Sequence, residues 1–170
     1  MKASANRLDT VEEYYFSKKL KEVNSLIKKG NPIINLGIGS PDLLPPSIAL
    51  EALKDSLNDQ YANNYQSYIG LEDLRISISE FYKKWFDVDL DFNSEILPLL
   101  GSKEGIMHIS MAFLNVGDSV LIPNPGYPTY SSVTNLVQAK PIYYDLTPEN
   151  NWFPNIQELE KNDLTNVKLM

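Results

Sequence analysis

Gly101 and Ser102 stand together in "LLGSKEGIMH", Leu99 to His108, where an apolar run gives way to a helical pattern. A strand over Ile96–Leu100 that turns at Gly101 into a helix would leave free backbone N–H groups, and the positive end of the helix dipole, facing outward near Ser102. That geometry binds phosphate. Gly101 lets the backbone approach a ligand closely, and the Ser102 hydroxyl adds a donor. The same residues also make an ordinary turn with a serine cap. A second stretch, "PNPGYPTY" at Pro123 to Tyr130, follows the next apolar segment. Its prolines and glycine make a stiff loop at the C-terminal end of a strand, the edge at which open α/β sheets bind ligands. Tyr127 held there suits stacking on a flat ring, or plugging the top of the core.

Other stretches mimic chemistry that they cannot perform. "GIGSPD", Gly37 to Asp42, looks like a dinucleotide fingerprint, but Pro41 and Asp42 fall where a helix should open on a third glycine, which argues against a nicotinamide cofactor. "DVDLDFNSE", Asp87 to Glu95, has oxygens at alternate positions like a calcium loop. Phe92 sits where such a loop needs glycine and Pro98 where it needs a bidentate glutamate, so an acidic surface loop is expected. His108, the one histidine, lies in an apolar helical pattern and is expected to be packed or partly buried, with no metal partner. The chain has no cysteine, which excludes disulfides, thiol nucleophiles and thiolate metal sites.

Composition narrows the partners. With 170 residues, 43% hydrophobic and 22% charged, the chain is expected to form one ordinary soluble domain. A net charge of -7 argues against nucleic acid or an anionic membrane surface as partner. The lysines at 18, 19, 21, 28 and 29 read as a solvated helix face. Neither a signal-peptide core nor an apolar stretch long enough to span a bilayer is present, so a cytoplasmic location is expected.

The elements that must position these residues follow from periodicity. Thr10 and Glu13 form a capping box before a helix carrying Val11, Tyr14, Tyr15, Leu20, Val23, Leu26 and Ile27, which should end near Gly30. Ile33–Leu36 reads as a short extended segment and Ile48–Leu57 as a helix. A longer helix follows Gly70, with Leu71, Leu74, Ile78 and Phe81 on one face. From Glu95 the pattern changes to apolar strands, "EILPLL", "DSVLIP", "PIYYDL" and "NVKLM", separated by helical stretches at Lys103–Leu114, Thr129–Val137 and Asn155–Glu160. This alternation predicts an α/β fold with a mostly parallel sheet and flanking helices. The last strand has no covering helix after it, so the chain is expected to be part of something longer.

Taken in order, "INLGIGSPDL", "NYQSYIGLEDLR", "LGSKEGI" and "PNPGYPTY" resemble the N-terminal half of class I/II aminotransferases, the fold-type-I enzymes that use pyridoxal 5'-phosphate. "GIGSPDL" with "LGSKEGI" is most similar to the diaminopimelate-type members. The resemblance implies an N-terminal arm and helix belonging to the small domain over residues 1–45. It implies the opening, truncated portion of the cofactor-binding large domain over 46–170. It further implies that Gly101, Ser102 and Lys103 cup the cofactor phosphate, that Tyr127 stacks on its ring, and that Tyr65 reaches the phosphate of a neighbouring subunit's cofactor in a homodimer. Gly39 would lie at the substrate carboxylate. The reaction implied is exchange of an amino group between an amino acid and a 2-oxo acid. The family's Schiff-base lysine, its carboxylate-gripping arginine, and the asparagine and aspartate that tune the ring have no assignable counterpart here, and no catalytic residue is assigned. Complete at 170 residues, the chain would not transaminate. The rival expectation is therefore a truncated, non-catalytic relic or a binding or association module, and another pyridoxal-phosphate reaction such as a lyase or decarboxylase shares the same scaffold.

Overall fold

A computed structural model of the chain describes residues 4–9, 11 and 13–170. They divide into two compact units: Tyr15–Pro98, and Leu99–Met170 together with the N-terminal stretch up to Tyr14. Among the described residues no helix is long and apolar enough to cross a membrane.

The first unit is helical and irregular. Its opening helix α1 spans Tyr15–Lys28. The capping box expected to start it involves Thr10, which lies outside the described residues, and the helix begins after Glu13, at Tyr15. Its end is the one the glycine predicts. Gly30 has φ +87, its N–H donates to the Ile27 carbonyl at 2.9 Å, and the Asn31 N–H reaches back to Leu26 at 3.2 Å, which satisfies carbonyls that the helix leaves open. Residues 33–36 run without strand pairing, and the Asn35 side chain folds over to accept the Gly37 N–H at 2.9 Å. Helices α2, Ser47–Ser56, and α3, Glu72–Phe86, follow.

The most buried residue of α3 lies off its expected apolar face: it is Arg75, 5% exposed, while Leu74 and Phe81 are about half exposed and Leu71 precedes the helix as its N-cap. The Arg75 guanidinium donates to the Phe92 carbonyl at 2.6 Å and lies 5.9 Å from the Phe92 ring, and the Ser79 hydroxyl donates to the Leu90 carbonyl at 2.7 Å. These contacts clip the acidic loop 87–95 to α3. Within that loop the Asp91 carboxylate accepts the Ser94 hydroxyl at 2.7 Å and the Asn93 N–H at 2.9 Å, which lowers its pKa. These two bonds close the turn at the start of the loop.

The second unit is a three-stranded parallel sheet with helices, in strand order β2-β1-β3: β1 is Ser119–Asn124, β2 Lys140–Asp145 and β3 Val167–Leu169. Ser119 to Ile122 are all buried, the pattern of a central strand covered on both faces. Leu114, Val120, Ile122 and Ala139 make the core, with Val137 and Leu169 packed against it. Pro141 is tolerated in β2 because that strand has one unpaired edge in this sheet. Helices α4, Ser102–Phe113, α5, Pro128–Leu136, and the short α6, Ile156–Leu159, fall where the spacing predicts.

One expected strand is absent. "EILPLL" is irregular, and Leu97 and Leu100 are 55% and 100% exposed. A strand exists only as one side of a hydrogen-bonded ladder, and among the described residues nothing pairs with 96–100.

Replacing the buried Arg75 with alanine removes a charged donor from the part-buried Phe92 carbonyl, and should cost about 2–3 kcal/mol of stability in a urea titration followed by Trp fluorescence. A surface-like loss below about 0.5 kcal/mol would show that the loop does not depend on this clip.

Candidate cofactor site

The corner predicted from "LLGSKEG" is built at the start of α4, with one change. Leu99 and Leu100 approach it as unpaired chain, not as a strand, so the helix start is held by other means. Gly101 is the N-cap, with φ +152 and ψ 166, a backbone conformation that disfavours side chains. No atom lies within 4 Å of where its Cβ would be, so the demand for glycine is conformational. Ser102 opens the helix and makes no side-chain cap. The Glu104 N–H already bonds the Gly101 carbonyl at 3.1 Å, whereas the N–H groups of Ser102 and Lys103 have no acceptor among the described residues. Those two donors, at the positive end of a 12-residue helix, are what an anion would meet.

Two contacts hold the approach segment against the first turn of α4. The Leu100 N–H donates to Glu104 Oε2 at 2.6 Å. A Cβ on Gly105 would come within 2.8 Å of Leu99 Cδ1, so only glycine lets Leu99 lie so near. Glu104 is a functional candidate that the motifs alone do not mark, although its position three residues after the N-cap is the signal for such a reach-back.

Tyr127 ends the stiff loop after β1 and serves as N-cap of α5, with Pro128 at the first helical position. The loop has no room at Gly126, where a Cβ would collide with the backbone carbonyl of Pro123. Its root is fastened to the end of β2 by the Leu146 N–H on the Asn124 carbonyl, 2.8 Å, and by the Asn124 amide on Asp145 Oδ1, 2.7 Å. The Tyr127 and Tyr130 rings meet nearly at right angles, with centroids 5.8 Å apart, and Tyr127 remains 38% exposed. The Lys103 ammonium lies 5.5 Å from the Tyr127 ring and 5.0 Å from the Tyr14 ring. Gly101, Ser102, Lys103 and Tyr127 are thus brought together. Tyr14, expected on a helix face, joins them.

An apolar cavity of about 560 Å³ opens beside Ser102, lined by Ile106, Ser110, Tyr130, Thr134 and Tyr144 among others. Burial raises the Tyr144 phenol pKa. His108 does not enter this group: it is exposed on α4, contrary to the packed position expected, with Nε2 4.0 Å from Glu104 Oε1. The helical period carries it to the solvent side, because the apolar residues around it are not confined to one stripe. Gly39 and Tyr65 belong to the other unit, where the Tyr65 ring is fully exposed and the space at Gly39 is open. Among the described residues no three His, Asp or Glu side chains converge as metal ligands.

The residues present fit a phosphorylated, flat-ringed ligand: two free N–H donors, an ammonium and an aromatic face are neighbours. The nearby Thr129 side chain and then Lys103 lower the Tyr127 pKa, since both favour the phenolate. Thr129→Val and Lys103→Met should therefore each raise the Tyr127 midpoint toward the ordinary tyrosine value, Thr129→Val by more. The difference in ultraviolet pH titration between each protein and its Tyr127→Phe counterpart reads this, and an unmoved midpoint would refute the contact.

The family model described as aminotransferase class I and II matches residues 31–169. The LL-diaminopimelate aminotransferase of Aquifex aeolicus is 36% identical, over 98% of this chain and 43% of its own length. Among solved structures, substrate-bound BacF from Bacillus subtilis superposes with a TM-score of 0.88 at 29% identity, covering all of this chain and 43% of that one. Alanine aminotransferase from Pyrococcus furiosus gives 0.84 at 29% identity, covering 97% and 42%. The chain thus spans less than half the length of the relatives it matches, its parallel sheet with flanking helices is a partial fold-type-I aminotransferase domain, and it belongs to the class I and II aminotransferases.

Proposed function

We propose that the chain is the N-terminal part of a pyridoxal-phosphate-dependent aminotransferase that exchanges an amino group between an amino acid and a 2-oxo acid. The observation that carries the reading is the meeting of two N–H donors at Ser102 and Lys103, unpaired among the described residues, with the partly exposed ring of Tyr127 beside the Lys103 ammonium. When bound, pyridoxal 5'-phosphate supplies an electron sink for bonds at the substrate's α-carbon. The residues of this chain bind and orient it. Ser102 and Lys103 donate to the phosphate, Gly101 keeps the corner open, and Tyr127 fixes the plane of the ring. Gly39 leaves room for the substrate carboxylate. Residues 1–45 belong on this reading to the smaller domain, and 46–170 to the start of the larger one. The likeness to enzymes named LL-diaminopimelate aminotransferase supports an amino acid of that type as substrate, one bearing a carboxylate at each end. The intact enzyme works in the cytoplasm.

The test is reductive trapping. Borohydride treatment of the protein made from its own gene, loaded with pyridoxal 5'-phosphate, fixes the cofactor to any lysine bonded to it, and peptide mass mapping finds that lysine. A lysine other than Lys103 is expected to carry the label. Label on Lys103 would remove it from the phosphate cup, and no label at all would leave a binding protein without transamination chemistry.

The fully exposed Tyr65 ring supports a role across a homodimer, its hydroxyl reaching the partner's cofactor phosphate. Tyr65→Phe should weaken cofactor binding about fivefold, one neutral hydrogen bond. A monomer in sedimentation with unchanged cofactor affinity would overturn the role.

A further inference from the structure

We infer that Glu104 is a positioning residue for the phosphate corner, acting through the backbone of Leu100; this rests on the reading of Ser102 and Lys103 as phosphate donors. A carboxylate in the first turn of a helix that receives a phosphate is a paradox. Like charges at that range repel, and the same helix end that attracts the ligand also attracts the glutamate. The structure resolves it by direction. Glu104 does not turn toward the free N–H groups of Ser102 and Lys103 but reaches back past the N-cap, where Oε2 accepts the Leu100 N–H at 2.6 Å.

What that bond does follows from what surrounds it. The segment before the corner has no ladder partner among the described residues, and Leu100 is fully exposed. Left to itself it would swing, and Gly101, the most permissive residue in the turn, would not resist. Leu99 against Gly105 and Leu100 on Glu104 are two fastenings, one apolar and one charged, that straddle Gly101 to Lys103. They close the corner into a small loop of fixed shape whose unsatisfied N–H groups point one way. Ordering donors before the ligand arrives lowers the entropy lost on binding. Glu104 thus trades a modest repulsion for a preorganised cup.

The two roles a carboxylate could have here predict opposite signs, and this makes the inference testable. The protein made from its own gene, stripped of cofactor, is titrated with pyridoxal 5'-phosphate and separately with pyridoxal, which lacks the phosphate. Glu104→Ala is expected to weaken binding of the phosphorylated form about tenfold, the worth of one charge-assisted hydrogen bond, and to leave pyridoxal unchanged. Glu104→Gln keeps an acceptor oxygen without the charge, and is expected to bind at least as tightly as wild type. Amide hydrogen exchange at Leu100 should accelerate in the alanine variant and not in the glutamine one. If both variants bind the phosphorylated form more tightly, Glu104 is only a nearby charge and the inference falls. Unchanged affinity in both overturns it equally. If wild type itself does not prefer pyridoxal 5'-phosphate to pyridoxal, the phosphate reading of the corner fails, and this inference with it.

Discussion

Four consecutive buried residues, Ser119 to Ile122, carry backbone N–H and C=O groups that water cannot reach, and their only outlets are the strands on either side. That requirement organises the second unit. It pairs β1 with β2 from Ser119 opposite Lys140 to Asn124 opposite Asp145, and with β3 on the other edge. Because the ladder is parallel, each connection must travel back over a face of the sheet, and helices do so. The C-terminal end of β1 is thereby held in place, and Tyr127, three residues beyond Asn124, inherits its position from a strand whose register is set by burial.

The corner at Gly101 is fastened differently. Among the described residues no ladder reaches it, so local devices substitute: a glycine in a conformation other residues resist, a leucine laid where residue 105 has no side chain, and a glutamate that ties down the preceding peptide. The site accordingly combines a rigid wall, Tyr127 on its loop, with a rim whose shape depends on two side-chain contacts. Lys103 links them, with its ammonium near the rings of Tyr127 and Tyr14. A cation between two tyrosines is favoured by their ring faces. It also leaves positive charge beside the free N–H groups, which suits an anionic ligand.

Much of the fold is legible in the sequence because its signals are local. The Gly30 stop, the helix after Gly70 and the three strands of the second unit each follow from a turn residue or a period that needs no distant partner to be recognised. The departures share one cause. "EILPLL" has every property of a strand except a neighbour, and hydrogen-bonded pairing is not a property of a segment. The apolar stripe on α3 suggests the buried face, but Arg75 is buried more deeply because it can satisfy a carbonyl of the loop 87–95, and that loop's path is a tertiary fact. The apolar neighbours of His108 suggest an interior position, and it lies outside because α4 is apolar beyond the face that packs.

For the candidate site the division is similar. Residue order and type alone mark Gly101, Ser102 and Tyr127, since a glycine-serine corner before a helix and a proline-stiffened tyrosine are chemical statements made within a few residues, whereas Lys103 is marked only through the resemblance to the family. The four motifs in sequence are enough to place the chain in its family. Only the tertiary structure decided that Lys103 and Tyr127, far apart in the chain, are neighbours, that Tyr14 joins them, and that Glu104 reaches back to Leu100, away from the free donors. Those facts depend on where the sheet sends each loop and which way a side chain swings, and a one-dimensional pattern contains neither distance nor direction.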